Sequence, residues 1–168
     1  MIRYTTTYNS PFGPIVIESD GDMLTGLRFA DEKANTNMTK CNNALSAIPV
    51  IAATIQWLDD YFNGKQTENA IMGEQTDARI AVKQKGTMFQ QRVWNALSAI
   101  PYGKTVSYGT IARMVGCKSA QAVGQAVGAN PIALLIPCHR VIAANGKLGG
   151  YAYGEEIKKR LLEGERHD

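Results

Sequence analysis

The hydrophobic pattern of this 168-residue chain changes near residue 84, and this change restricts the folds that the chain can adopt. Before it, short runs rich in β-branched and aromatic residues are separated by turn residues, which is typical of strands. After it, apolar residues recur at every third or fourth position, which is typical of amphipathic helices. The length is sufficient for two small domains. We therefore predict an α/β domain with a sheet over residues 1–84 and a mainly α-helical domain over residues 85–168.

The first half is predicted to consist of strands followed by one helix. Residues 2–8 are rich in Thr and Tyr, and the segments 15–18 and 23–29 flank an Asp-Gly hairpin signal. Apolar residues at helical spacing predict a helix over 51–62, and residues 79–84 are a candidate for one more strand. No motif in this half carries obvious chemistry, so we interpret it as a scaffold.

The second half is predicted to contain a helix-turn-helix. Thr87 and Gln90 form a capping-box pattern at the start of a first helix. Two shorter helices, 107–115 and 119–129, follow, and Gly116 stands in the turn between them. A pair of short helices joined by a tight turn that contains glycine is the pattern of many DNA-binding domains.

The net charge of +3 is unevenly divided between the halves. Residues 1–84 carry 7 basic and 10 acidic side chains, a net charge of −3, whereas residues 85–168 carry 11 and 5, a net charge of +6. A basic half suits a polyanionic partner such as nucleic acid. A solvated basic surface accounts for the charge equally well, so charge alone does not decide between them.

The composition disfavours several classes of protein. The longest apolar run is far too short to span a membrane and the N-terminus lacks an apolar signal core, so we expect a soluble, cytoplasmic protein. The three cysteines, Cys41, Cys117 and Cys138, are odd in number and form no Cys-x-x-Cys pair, and the only histidines are His139 and His167. We therefore predict neither a disulfide framework nor a metal site.

The helix predicted over 119–129 has two contrasting faces. Val123, Ala126 and Val127 fall on one face and are expected to pack inward. The opposite face is small and nearly uncharged and consists of Gln121, Gly124, Gln125 and Gly128. Each glycine inside a helix costs about 1 kcal/mol relative to alanine, so two of them on one face indicate the close approach of another backbone. Either the edge of a nucleic acid groove or, more commonly, a neighbouring helix accounts for such a pair.

An apolar run over 132–136 is predicted to form a strand that leads to Cys138. A cysteine after such a run is usually inert and buried. Here, however, the adjacent His139 can accept the thiol proton, which must leave before the sulfur becomes a good nucleophile. A cysteine hydrolase normally pairs its cysteine with a histidine distant in sequence, and only His167, close to the chain end, is available. That class is therefore disfavoured.

A glutamate near the C-terminus is the third candidate for this site. Glu165 follows Ile157 and Leu161 at intervals of four residues, so all three fall on one face of a helix. The two apolar residues should face the core and bring Glu165 inward with them. Because a buried glutamate requires a partner, we pair it with His139.

Motifs spread over the second half resemble one known family. They comprise Gly-Thr-Met-Phe-Gln-Gln-Arg-Val-Trp at 86–94, Ile-Pro-Tyr-Gly-Lys-Thr-Val-Ser-Tyr at 100–108, Ala-Val-Gly at 122–124, Asn-Pro at 130–131 and Ile-Pro-Cys-His-Arg-Val at 136–141. Together they closely resemble the O6-alkylguanine-DNA alkyltransferases, also called methylated-DNA–protein-cysteine methyltransferases. Looser matches in the first half are Ser-Pro-Phe-Gly-Pro at 10–14 and Tyr-Phe-Asn-Gly at 61–64.

The resemblance implies both a fold and a reaction. The fold is an RNase H-like sheet domain followed by a helical domain with a helix-turn-helix. Cys138 would accept the alkyl group of O6-alkylguanine in duplex DNA, once per molecule and without a cofactor. Glu165 would orient His139, which would deprotonate Cys138 through a water. Asn130 would brace the active-site turn, and Tyr108 would donate a proton to the flipped guanine.

The resemblance also implies a pocket and a surface for DNA. The pocket residues would be Val127, Val141, Tyr151 and Ala152, with Lys158 near the rim. The contacts to the minor groove would be Ser119, Ala120, Gln121, Ala122, Gly124, Gln125, Gly128 and Arg140. The partner would be double-stranded DNA rather than a membrane, and the protein would act as a monomer. The preferred alkyl size and any activity on O4-alkylthymine are not fixed by these motifs.

One position departs from the family pattern. Gln121 stands where the family usually has an arginine that fills the gap left by the flipped base. Glutamine is neutral and shorter, but its amide can hydrogen-bond the orphaned cytosine, so we expect it to be a weaker wedge. The alternative from another class is a non-catalytic helix-turn-helix protein that senses alkyl lesions or regulates transcription. The presence of Cys138 argues against that alternative.

Overall fold

The computed structural model describes residues 2–30, 45–65, 67 and 80–166. The chain divides into two compact units. The first consists of Met1–Gln84 together with Pro131–Ala133, and the second of Lys85–Asn130 together with Leu134–Asp168. A short stretch from the second half of the sequence therefore belongs to the first unit.

The described residues of the first unit form a three-stranded antiparallel sheet in the order β1-β2-β3. The strands are β1 (Tyr4–Ser10), β2 (Gly13–Ser19) and β3 (Leu24–Phe29). Tyr4 pairs with Ser19 across the first hairpin, and Ile15 pairs with Phe29 across the second. Gly21 in the second turn has a φ of +107°, a conformation that favours glycine. The three predicted strands and the hairpin turn are confirmed.

Helix α1 (Pro49–Phe62) belongs to the same unit and contacts β2. Proline suits the first helical position because the N–H that it lacks would have no partner inside the helix. Ile51, Leu58 and Tyr61 are buried, as the helical spacing predicts. Their burial gives the first unit a core of its own.

The stretch predicted as one more strand, 79–84, contains two single bridge residues, Ile80 and Val82, but no continuous strand in its described residues, and Val82 pairs in parallel with Leu24. Leu24 N donates to the carbonyl oxygen of Ala81 at 2.7 Å, and Lys83 N donates to the carbonyl oxygen of Leu24 at 2.8 Å. Isolated bridges do not make a continuous strand, so the predicted element was too long.

Helix α2 (Met88–Ser98) begins the second unit with the predicted capping box. The Thr87 hydroxyl accepts a hydrogen bond from Gln90 N at 3.1 Å, and Gln90 Oε1 accepts one from Thr87 N at 2.9 Å. Trp94 is buried, and its Nε1 donates to the carbonyl oxygen of Ala126 at 2.8 Å. Because an unpaired buried donor costs about 1–3 kcal/mol, this bond fixes α2 against the helix that contains Ala126.

The predicted helix-turn-helix is formed by α3 (Tyr108–Val115) and α4 (Ala120–Gly128). Ser107 and Ser119 cap the two helices, since the hydroxyl of each accepts a hydrogen bond from the backbone N–H three residues later. Gly116 ends α3 with a φ of +67°, in the left-handed conformation common after helices. The residues that α4 buries are Val123, Ala126 and Val127, as predicted.

Two short strands and a final helix complete the second unit. Strand β4 (Val106–Ser107) pairs in parallel with β5 (Val141–Ile142), and helix α5 (Glu155–Glu165) follows. The parallel pair brings the start of α3 next to the residues that follow Cys138. Helix α5 contacts a short 3-10 helix, Cys138–Arg140. None of the described helices is both long and apolar enough to cross a membrane.

The strand predicted over 132–136 does not form. Ile132 makes only an isolated parallel bridge to Leu27, and the chain then turns, with Leu134 at a φ of +68°. Cys138 therefore begins a 3-10 helix rather than following a strand. All residues of the run are buried, so their continuous apolar character reflects burial and not strand structure.

Candidate functional site

Cys138 lines a cavity of about 250 Å³ in the second unit. The lining residues are Tyr108, Gly124, Val127, Gly128, Cys138, Gly150, Tyr151 and Ala152. They come from α3, from α4, from the 3-10 helix and from the loop before α5. Three of the predicted pocket residues thus lie together with the predicted acceptor and the predicted proton donor. Val141 and Lys158, which were also predicted for the pocket, do not line the cavity.

Next to Cys138, His139 and Glu165 form a buried pair. Nε2 of His139 lies 2.7 Å from Oε1 of Glu165, and the two side chains are 0% and 2% exposed. Glu165 is the last residue of α5, and Leu161, one turn earlier, is also buried. The helical spacing predicted that Glu165 points inward, and the burial of Glu165 confirms this.

Arg140 also binds Glu165, and this corrects its predicted role as a DNA contact. Nε and Nη2 of Arg140 donate to Oε2 and Oε1 of Glu165, both at 2.9 Å, and Nη1 donates to the carbonyl oxygen of Ile100 at 2.9 Å. The residue is 5% exposed. All three guanidinium nitrogens are used inside the protein, so Arg140 does not present a charge to a DNA phosphate.

The charges of this cluster follow from burial and pairing. Burial acts to raise the pKa of Glu165, but the hydrogen bonds with His139 and Arg140 and the charge of Arg140 outweigh it and lower the pKa to about 2. Burial lowers the pKa of His139, and the charges of Arg140 and Lys158 lower it further, against the opposing effect of Glu165. At neutral pH the cluster therefore holds a carboxylate, a guanidinium and an uncharged imidazole.

The thiol of Cys138 is protonated at rest, because burial raises its pKa. A hydrogen bond with the Asn130 side chain and the charge of Lys158 act in the opposite direction. Asn130 Nδ2 also donates to the carbonyl oxygen of Ile136 at 2.8 Å. A buried thiol of this kind needs a nearby base to become a nucleophile, and His139 is adjacent.

Lys158 was predicted near the rim of the pocket, but its side chain is fully buried in the second unit. Its Nζ donates to the carbonyl oxygens of Val141 at 2.6 Å and Gly150 at 3.1 Å, and lies 6.0 Å from the centre of the Tyr108 ring. Burial lowers the pKa of Lys158, while Cys138 and Glu155 act to raise it. Lys158 thus fixes β5 to the loop that carries Gly150.

Two family models match this chain. One describes the ribonuclease-like domain of 6-O-methylguanine DNA methyltransferase and matches residues 3–72, and the other describes the DNA binding domain and matches residues 88–167. The chain belongs to the 6-O-methylguanine DNA methyltransferase family. The resemblance in the sequence motifs and the two-domain fold class, a sheet domain followed by a helical DNA-binding domain, are thereby confirmed.

Individual members of this family match nearly the whole chain. A methylated-DNA–protein-cysteine methyltransferase of Mycobacterium tuberculosis is 43% identical over 170 residues, which cover 99% of this chain and 93% of that protein. The constitutive enzyme of Bacillus subtilis is 39% identical over 168 residues, covering 98% and 96%. The crystal structure of Mycobacterium tuberculosis OGT in complex with DNA superposes with a TM-score of 0.77 and 42% identity, covering 96% of this chain and 91% of that one.

In this methyltransferase, Tyr108 faces the cavity from the first position of α3. Its hydroxyl lies 3.5 Å from the carbonyl oxygen of Gly150. Burial raises the pKa of Tyr108, and the nearby Cys138 raises it further. The phenol therefore keeps its proton at neutral pH and is available as a donor. Gly149, at a φ of +71°, lies against the ring, where a Cβ would come within 3.4 Å of it.

The space around the glycines on the outer face of α4 decides between the two explanations for them, a nucleic acid groove or a neighbouring helix. Gly124 and Gly128 both line the cavity, and a Cβ placed on either would meet no atom within 4 Å beyond the adjacent residues and the backbone of its own helix. Close packing against a neighbouring helix is therefore wrong as an explanation for these two residues. Gln121 and Gln125 are exposed on the same face, which leaves this face of α4 open to a partner.

Sequence reasoning missed Gly150, which lines the cavity and accepts a hydrogen bond from Lys158. The pair Gly149-Gly150 was the available signal, since adjacent glycines in a loop often permit a close approach. Within the described ranges, no group of three His, Cys, Asp or Glu side chains is placed to hold a metal ion. Cys41 and His167 lie outside those ranges.

Proposed function

We propose that the protein repairs DNA by transferring the alkyl group of O6-alkylguanine to the sulfur of Cys138. One observation carries the proposal: Cys138 lines an open cavity, and the residue that follows it, His139, forms a buried pair with Glu165. The family match supports the reaction, and the residue roles below are supported by the geometry of the second unit.

The chemistry requires a soft nucleophile and a protonated leaving group. His139 takes the thiol proton, directly or through a water, and Glu165 holds the imidazole in place. The thiolate attacks the alkyl carbon, so that a C–S bond forms while the C–O bond breaks and its electron pair leaves with guanine. Tyr108 donates a proton to the guanine anion, and the proton held by His139 returns to the phenolate through solvent.

The product explains why the protein acts once. A thioether is stable to hydrolysis, and no described residue of the site is placed to attack it. Each molecule therefore removes one alkyl group, and the number of lesions repaired equals the number of Cys138 residues consumed. The reaction as written needs no cofactor.

The substrate reaches Cys138 only if the damaged nucleotide leaves the duplex, because the reacting atom lies inside the base stack. The exposed face of α4 borders the cavity and is small and uncharged, which suits the minor groove. The proposed contacts on this helix and its cap are Ser119, Ala120, Gln121, Ala122, Gly124, Gln125 and Gly128. The excess of basic residues in 85–168 favours binding to the phosphates. We expect a cytoplasmic protein with access to chromosomal DNA.

The decisive experiment is intact mass measurement after incubation with a duplex that contains O6-methylguanine. We expect the protein to gain one methyl group, located by peptide mapping on Cys138, and to gain none from a matched duplex with unmodified guanine. The Cys138→Ser variant should bind the lesion but gain no mass. An unchanged mass for the wild-type protein would contradict the proposal and favour a non-catalytic lesion sensor.

A further inference from the structure

Arg140 is a buried charge that the alkyl transfer, as described above, does not use. Its guanidinium binds both oxygens of Glu165 at 2.9 Å, and the same Glu165 lies 2.7 Å from His139. Arg140 is also 5.6 Å from the centre of the Tyr102 ring. The carboxylate that orients the proposed base is therefore shared between an imidazole and a guanidinium.

The charge balance of this cluster gives Arg140 a role beyond packing. A buried carboxylate is costly unless a positive charge compensates it. Arg140 supplies that charge permanently, because a guanidinium does not lose its proton in proteins. Without it, the remaining way to compensate Glu165 is to place a proton on His139, and a protonated imidazole cannot accept the proton of a thiol.

The other charged and titratable groups around His139 do not replace Arg140. Lys158, from α5, is bonded to the carbonyl oxygens of Val141 and Gly150 rather than to Glu165. Tyr102, from the loop after α2, and Cys138, on the same 3-10 helix, are uncharged at neutral pH, since burial raises the pKa of both. Arg140 is thus the cation in direct contact with the carboxylate among the described residues.

We propose that Arg140 is a positioning residue that neutralises the Glu165 carboxylate and thereby keeps His139 uncharged, which extends alkyl transfer to lower pH. The inference rests on the proposed function of Cys138. It differs from the role expected from the sequence, in which Arg140 would contact DNA. It also differs from a purely structural role, because it concerns the protonation of a neighbouring residue.

The test compares the rate of methyl transfer from an O6-methylguanine duplex across pH for the wild type, Arg140→Gln and Arg140→Lys. In Arg140→Gln the positive charge is lost, so protonation of His139 is favoured. The acidic limb of the pH–rate profile, where the rate falls because His139 is protonated, therefore moves to higher pH. We expect this variant to lose roughly tenfold in rate at the acidic end, the factor that accompanies one pH unit, and to approach the wild-type rate at the alkaline end. Arg140→Lys keeps the charge and should restore the wild-type position of the limb.

Two further measurements separate the possible failures. NMR titration of the His139 ring should show protonation at higher pH in Arg140→Gln than in the wild type, and not in Arg140→Lys. The rate at which iodoacetamide alkylates Cys138, followed by peptide mapping without DNA, should show the same shift of its acidic limb. These readouts stand even if the wild type fails to demethylate DNA, so a failure of the proposed function is distinguishable from a failure of this inference.

Specific results would overturn the role of Arg140. A uniform loss of rate at all pH values, with the His139 titration unchanged, would make Arg140 a structural residue only. Weaker binding to unmodified duplex, measured by fluorescence anisotropy, together with an unchanged pH profile would restore its role as a DNA contact. If Arg140→Gln does not fold, a shifted limb in Arg140→Lys would also overturn the inference, because that variant retains the charge.

Discussion

Asn130 Nδ2 donates a 2.8 Å hydrogen bond to the carbonyl oxygen of Ile136, and this bond spans the turn that leads to Cys138. The same side chain acts to lower the pKa of the Cys138 thiol by hydrogen bonding. A single amide therefore braces the backbone of the turn and favours ionisation of the proposed nucleophile.

The Asn130→Ala variant tests both effects. Loss of a partner for a buried carbonyl group should lower the free energy of unfolding by about 1–3 kcal/mol, measured by urea denaturation. Loss of the hydrogen bond to sulfur should raise the pKa of Cys138, so alkylation by iodoacetamide should need a higher pH. Asn145→Ala, in an exposed turn, is the matched control and should change neither quantity. Equal effects from the two variants would contradict the role of Asn130.

Glu165 should make the protein sensitive to acid. Its pKa is lowered from an ordinary 4.5 to about 2 by His139 and Arg140, in spite of burial. A carboxyl group with a depressed pKa contributes stability above its unfolded value, and this stability is lost as the pH falls towards the folded value. We expect about 3 kcal/mol of stability to disappear between pH 4.5 and pH 2, which corresponds to the size of the shift.

The Glu165→Gln variant should show a flatter dependence of unfolding free energy on pH across that window. It should also be less stable than the wild type at pH 7, since the buried Arg140 loses its counter-ion. Glu163→Gln, on an exposed position of the same helix, serves as the control and should keep the acid sensitivity of the wild type. If both variants kept the wild-type slope, the source of the acid sensitivity would lie elsewhere.

Replacing Gly124 with alanine should stabilise the fold but slow alkyl transfer. A Cβ at this position meets nothing within 4 Å, so Gly124→Ala should raise the free energy of unfolding by about 1 kcal/mol. Because the added methyl group lies at the cavity wall and on the face proposed for the minor groove, transfer from duplex DNA should be slower. Gly164→Ala in α5, which also has open space for a Cβ, should stabilise without slowing transfer. A Gly124→Ala variant that reacts as fast as the wild type would show that the glycine is not required for DNA approach.

Gln121 should matter only when the base has to be extruded. Gln121→Ala should slow methyl transfer from an O6-methylguanine duplex, because nothing then occupies the gap opposite cytosine, and should leave transfer from the free base unchanged. Gln121→Arg should accelerate the duplex reaction, since a longer, charged side chain fills that gap and binds phosphates. Rates of both reactions under single-turnover conditions provide the measurement. If neither variant alters the duplex rate, Gln121 is not the wedge.

Local patterns in the sequence were sufficient for the features that depend on a few consecutive residues. The capping box at Thr87, the stop at Gly116 and the inward position of Glu165 all follow from helix geometry within one or two turns. The prediction of a strand before Cys138 was wrong, because a run of apolar residues indicates burial but does not indicate the secondary structure of the buried segment.

The partners of Arg140 could not be predicted in the same way. Glu165 lies 25 residues away and Ile100 lies 40 residues away, and no periodicity connects an arginine to either. The family resemblance implied that Arg140 contacts DNA, and its position beside a candidate active site in a basic half was compatible with that role. Its burial depends on the tertiary packing of three separate segments, which only the fold supplies.

Because Pro131–Ala133 belong to the first unit, truncation of the chain between the two halves of the sequence also affects the second half. Leu27 N donates to the Pro131 carbonyl oxygen at 3.0 Å, and Ala133 N donates to the Leu27 carbonyl oxygen at 2.8 Å. A fragment that begins at Lys85 would keep Pro131–Ala133 but lose β3, to which these residues are hydrogen-bonded through Leu27. The boundary between the units is crossed three times by the chain, so no single proteolytic cut or truncation separates them, and a minimal DNA-reactive fragment would need a substitute for Leu27.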